Sequence, residues 1–150
     1  MRRRFLHNLV ALALFAGGIA TLPVQAEPPI KVVYHLADGI DQASRALANI
    51  RNHLRAAPNT QIVVVALGDG IRFLLKDANE RDTAEHHGGA FEPAVAALAA
   101  QGVEFRICMN TLAAHDVPLS RVIAAAKPVP SGVGEIARLQ AREGFVYLRP

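Results

Sequence analysis

The chain has no tryptophan, and only 5% of its 150 residues are aromatic. It carries a single cysteine, Cys108. One cysteine cannot close a disulfide within the chain, and without a Cys-x-x-Cys pair a dithiol redox cycle is excluded within one chain. The thiol is left buried, reactive, or paired between chains. There is no internal repeat, no phosphate-loop or dinucleotide fingerprint, and no protease-type motif around Cys108. Acidic residues are missing from the first 26 positions, where Arg2, Arg3 and Arg4 supply three of the 16 Lys and Arg residues. The other 13 balance 13 Asp and Glu. The body therefore has no global field to attract nucleic acid or an anionic membrane.

That basic start, the apolar run Leu9–Thr21 and the small-x-small site Val24-Gln25-Ala26 form the pattern of a signal peptide. The apolar run is too short for a stable membrane span. Residues 1–26 are expected to be removed, leaving residues 27–150 as one domain, with no stable membrane association after cleavage. Arg2-Arg3-Arg4-Phe5-Leu6 also fits a twin-arginine export motif, so the general secretory and twin-arginine routes both stand. Either delivers a periplasmic or secreted protein to an oxidising compartment.

The chain beyond residue 26 is Ala-, Val- and Leu-rich, with strand and helix patterns in alternation. Lys31–Leu36 and Gln61–Leu67 are β-branched apolar runs, the second apolar enough for burial on both faces. Between them, Ala43, Ala46, Leu47, Ile50 and Leu54 form one apolar stripe of a helix over 40–56, with Asp38 as its N-cap. Gly68-Asp69-Gly70 reads as a tight strand-to-helix turn rather than an anion cradle. The polar stretch 76–89 is the one long loop, ending in His86-His87. A helix over 91–101 stops at Gly102. The third strand, within Val103–Asn110, carries Cys108 to its C-terminal end, and one helical turn follows over 110–115. Pro128 and Pro130 keep the fourth strand short. Ser131 caps the last helix, Gly144 ends it, and Phe145–Leu148 is the fifth strand. Helical crossovers between strands predict a three-layer α/β/α domain with a five-stranded, mostly parallel sheet.

In such sheets ligands bind at the C-terminal ends of the strands, where Cys108 is placed. Arg106 lies on the same side of the strand by two-residue parity, and a nearby guanidinium would favour the thiolate. Backbone N–H groups at Asn110 and Thr111 would act in the same sense. A base for thiol catalysis would come from His35, His86, His87 or His115, and no spacing singles one out. Adjacent histidines point apart, so His86-His87 reads as solvated loop rather than a metal site. No cofactor and no metal are expected.

Lys31-Val-Val-Tyr-His35, Ala48-Asn-Ile-Arg-Asn52, Cys108-Met-Asn-Thr111, Pro130-Ser-Gly-Val133 and Arg138-Leu-Gln140 with Gly144-Phe-Val-Tyr-Leu-Arg-Pro150 together resemble the DsrE/DsrF-like family, in its single-domain branch. The resemblance spans essentially the whole chain after residue 26. It implies a five-stranded parallel sheet and homo-oligomers, often trimers or hexamers. It also implies a cysteine that carries sulfur as a persulfide between a donor and an acceptor protein. Cys108 alone matches that cysteine, and Asn110 is the neighbouring polar group of the Cys-x-Asn pattern. Where the branch often shows a polar residue after the second strand, this chain has Leu67.

The expectation is a sulfur carrier of the cell envelope, a carrier rather than an enzyme, with Cys108 accepting sulfane sulfur. The alternative is a non-catalytic oligomeric module that binds a small ligand or protein and whose Cys108 is structural. Access to the thiol separates them, and sulfur transfer expects Cys108 to be at least partly accessible.

Overall fold

A computed structural model describes residues 28–76 and 91–150. Five strands form one sheet: β1 (Lys31–Leu36), β2 (Gln61–Ala66), β3 (Glu104–Cys108), β4 (Ala126–Val129) and β5 (Val146–Leu148). Their spatial order is β4-β3-β2-β1-β5, and every pairing is parallel. Parallel neighbours need crossovers, and four helices occur among the described residues: α1 (Ile40–Ala56), α2 (Phe91–Ala99), α3 (Met109–Ala114) and α4 (Gly132–Glu143).

The strand periodicity sends alternate residues into two cores. On one face, Val32, Tyr34, Leu36, Ile62, Val64, Phe105 and Ile107 pack under α1, α2 and the 3-10 segment Gly68–Leu74. On the other, Val33, Val63 and Val65 meet Ile136, Leu139 and Phe145 of α4 and its exit. The expected α/β/α layering is thus the observed one.

Two details differ from expectation. Asp38 does not cap α1: the N-cap is Gly39, with no side-chain cap bond. Its carboxylate instead takes the Arg149 guanidinium at 2.7 Å. The turn is held by the buried amide of Gln42. Its Oε1 accepts from the N–H groups of Ala37 and Asp38, at 2.7 and 2.8 Å. Its Nε2 donates to the Pro150 carbonyl, so one side chain joins the first turn to the chain end. The second difference is the Gly68 turn, where the helical segment begins at Gly68 and is 3-10 throughout. Gly70 packs so closely on β1 that a Cβ there would lie 2.3 Å from the Leu36 carbonyl oxygen.

The two sheet edges are unlike. β4 carries Lys127, Pro128 and the following Pro130, residues that blunt an edge against further pairing. β5 carries Val, Tyr and Leu, all exposed. The stretch 76–89, with His86 and His87, lies almost wholly outside the described residues, as does the N-terminal leader.

Candidate functional site

Cys108 ends β3 and is the N-cap of α3, with φ −73° and ψ 116°. That conformation turns its side chain toward the open N–H groups of the first helical turn. Asn110 and Thr111 supply these groups, although neither closes a full cap bond to the sulfur. A second helix start arrives from β4. Ser131 caps α4, its hydroxyl accepting from Gly134 N at 3.2 Å. The next residue, Gly132, donates its N–H to Cys108 Sγ at 3.2 Å. The sulfur therefore sits where two helix N-termini converge.

The third donor is the Thr111 hydroxyl. Its oxygen accepts from Gly68 N at 3.2 Å, which leaves its hydrogen for the sulfur. Burial pushes the Cys108 thiol up. The Thr111 hydroxyl, the Gly132 N–H and the N–H groups of Thr111 and Asn110 pull it down, and its pKa lies below the ordinary thiol value. Donors that prefer an anion, outweighing desolvation, define a stabilised thiolate.

Gly132 is required by space. A Cβ there would come within 2.9 Å of Leu67 Cδ2, 3.1 Å of Leu67 Cβ and 3.2 Å of Cys108 Cβ. Leu67 and Cys108 thus both press on Gly132, with no room for a side chain between them. Gly132→Ala is expected to push α4 off the sulfur and raise the thiol pKa, with a stability loss of about 1–3 kcal/mol, the usual range for overpacking. Chemical denaturation and thiol titration read the two effects.

A model of the DsrE/DsrF-like family matches residues 31–149. The chain belongs to the DsrE/DsrF-like family. Its fold agrees with two solved structures. A protein of unknown function, MTH1491 from Methanobacterium thermoautotrophicum, is 31% identical with a TM-score of 0.69, the match covering 81% of this chain and 99% of that one. The ychN protein from E. coli is 14% identical with a TM-score of 0.61, over 83% of this chain and all of that one; at that identity the likeness is one of fold. No curated protein matches the chain.

Within this DsrE/DsrF-like site, the expected residues separate. Asn110 acts through its backbone N–H, and its side chain is exposed. Arg106 shares the α4 face with Cys108 but turns away from it, to Glu135 and Glu104. No described histidine acts on the thiol. His115 is exposed at the end of α3. His35 lies in the same row as Arg106 but two strands away, across Val65. Its Nδ1 shares a 2.7 Å hydrogen bond with the Tyr147 hydroxyl. Burial, then the Arg149 charge, hold its pKa down against the pull of Asp38. Thr111 as a side chain and Gly132 as a donor are the residues that sequence reading missed. Both lie inside motifs of the family pattern, Cys108-x-x-Thr111 and Pro130-Ser-Gly-Val133, but only the fold brings the two motifs together.

The access expectation meets a tighter site. Cys108 is buried, at 5% exposed, so the expected partial access is not met: the β3 end is packed under the start of α4, whose Gly132 N–H lies on the sulfur. Exposed Met109 and Val133, the latter 66% exposed, follow Cys108 and Gly132 in the chain.

Proposed function

We propose that this family member is a sulfur carrier of the cell envelope in which Cys108 holds sulfane sulfur as a persulfide. The observation that supports it is the Gly132 N–H on the Cys108 sulfur, joined by the Thr111 hydroxyl. A merely structural cysteine needs no set of anion-favouring donors. The step balances without an outside oxidant. The Cys108 thiolate attacks the outer sulfur of a persulfide donor; the donor's S–S bond breaks, its inner sulfur leaves as thiolate, and a Cys108 Sγ–S bond forms. An acceptor thiolate then attacks the outer sulfur, and Cys108 leaves as the stabilised thiolate. The N–H groups that hold the anion make Cys108 a good leaving group in this second step.

Because the thiol is buried, the reading requires the start of α4 to give way, and it favours small donors such as inorganic polysulfide, which leaves one sulfur shorter, or thiosulfate, which leaves as sulfite. The test is intact mass after treatment with each donor, then after an acceptor thiol. A gain of about one sulfur (~32 Da) that the acceptor removes is the persulfide signature. Mass unchanged under every donor would leave the binding-module reading in its place. Export through the 1–26 leader belongs to the same proposal. N-terminal sequencing of the protein from the cell envelope should begin near Glu27, and retention of Met1 there would refute it.

The reading also includes a homo-oligomer. Its support is the outer strand β5, which among the described residues pairs with β1 alone and on which Val146 is 55% exposed, with exposed Tyr147 and Leu148 beside it. An unblunted apolar edge invites another strand, and β5 of a second copy is the partner with matching chemistry. Val146→Lys should leave the monomer fold intact, since the side chain is already exposed, and should shift the protein to monomer in light scattering. A wild-type monomer, or an oligomer indifferent to Val146→Lys, would remove β5 from the interface.

A further inference from the structure

Between β3 and α4 lies an ion-pair network that thiol chemistry does not itself use. Glu135 is one helical turn beyond Gly132, and Arg106 is two residues before Cys108. The Arg106 guanidinium binds Glu135 Oε1 through Nη1 and Glu104 Oε2 through Nη2, the latter at 3.0 Å. Arg138 grips the same Glu135 carboxylate from within the helix, at 3.0 Å through Nε and 2.8 Å through Nη2. It also binds Glu143. The Arg106 and Glu135 side chains are only 15% and 13% exposed. Lys127 of β4 reaches Glu104 at 3.7 Å from the solvent side.

We propose that Arg106 and Glu135 are positioning residues, a strap that fixes the first turn of α4 on β3 so that the Gly132 N–H stays on the Cys108 sulfur. In the sulfur-carrier reading on which this rests, the strap sets how much of Cys108 is ready to attack. The geometry is specific. Of the contacts α4 makes with β3, this ion pair is polar, lies within one turn of Gly132, and originates on the strand that carries the thiol. A bidentate or forked guanidinium contact resists sliding as a single ammonium does not. A hydrogen bond to sulfur at 3.2 Å tolerates little sliding of the helix start.

Charge and position act in opposite directions here, which makes the test decisive. Glu135→Gln removes a negative charge near the thiol. If the carboxylate acted only through its field, its loss would lower the thiol pKa. If it acts as a strap, its loss frees the helix start and raises that pKa. Arg106→Lys keeps the charge but cannot span Glu104 and Glu135 together, and the strap again requires a rise. The readout is the ultraviolet absorbance of the thiolate against pH. Because Cys108 is the only cysteine, that signal needs neither access to the sulfur nor a donor. Both variants should ionise about half to one unit above wild type, a three- to tenfold loss of thiolate below the pKa. Glu143→Gln, which also loses a carboxylate of the network but no tie to β3, should match wild type. If Glu135→Gln does not fold, Arg106→Lys carries the test. An unchanged or lowered ionisation in the folded variants overturns the strap. A wild-type thiol that ionises low yet takes no sulfur overturns the carrier reading and leaves the strap standing.

Discussion

Cys108→Ser is expected to abolish the sulfur adduct while leaving the fold in place. The adduct has nowhere else to form, since the chain holds no second thiol. The hydroxyl is smaller than the thiol but still accepts from Gly132 N, so no buried donor is orphaned and the cost should stay near ~1 kcal/mol. The paired measurement is intact mass with and without a sulfane donor, beside a thermal melt. A mass gain that survives in Cys108→Ser would place the sulfur elsewhere. The substitution should also change the pH dependence of stability. The folded thiol ionises below its unfolded value, so the thiolate's contribution is fully present above the unfolded pKa. It is lost as pH falls through the folded one. Wild type should therefore gain stability relative to Cys108→Ser as pH rises across that interval, and a flat difference would deny the shift.

Gly70→Ala is expected to give the largest loss of stability of any alanine placed at a described glycine. The new Cβ would lie 2.3 Å from the Leu36 oxygen, 2.4 Å from its carbon and 2.7 Å from Ala37 N. These are backbone atoms at the end of a central strand, with no side-chain torsion to relieve them. Overpacking against side chains costs about 1–3 kcal/mol; against fixed backbone the cost should exceed that. For a domain of this size the melting temperature should fall by at least roughly 10 °C. Gly68 donates to Thr111 from the same turn, so the surviving folded fraction should also show a weaker thiol acid. A melt within a few degrees of wild type would mean that β1 and the 3-10 segment are not pressed together.

Much of the fold was legible in the chain because β1 and β2 announced themselves twice, by β-branched content and by their punctuation. Lys31–Leu36 matches its expected bounds, as does α1. Ser131 and Gly144 cap and stop α4 as their chemistry requires, Gly144 with φ +74°. The stretch 116–126, which carries no strand or helix pattern, folds into a 3-10 turn at Leu119–Arg121 and an isolated bridge between Leu75 and Val122. Neither has a periodicity to read.

The site was legible at Cys108 and at the adjoining N–H groups of Asn110 and Thr111, and not beyond them. The strand pattern put Cys108 at the sheet's C-terminal edge. Its donors, however, come from three places: Gly68 acting through Thr111 from the end of β2, α3 from the adjoining turn, and Gly132 from a helix 24 residues away. A backbone N–H that arrives from a distant element, as that of Gly132 does, leaves no mark in a sequence. Parity placed Arg106 on the thiol's side correctly, but parity cannot say which neighbour a flexible guanidinium prefers. Two carboxylates, Glu104 and Glu135, offered more than one neutral-to-anionic sulfur could. The same pairing keeps both carboxyls below the usual range: for Glu135, Arg138 and then Arg106 outweigh burial, and for Glu104, Arg106 does so with Lys127.

The central claim, that this fold lowers the pKa of the Cys108 thiol, is tested most directly by titrating the thiolate absorbance of wild type against Cys108→Ser. The difference isolates one group, and burial pushes Tyr34 further up, away from the thiol's interval. The expected result is a single ionisation step below the ordinary thiol value of about 8.5. A step at or above that value would show that burial outweighs the Gly132 and Thr111 donors, and would contradict the claim.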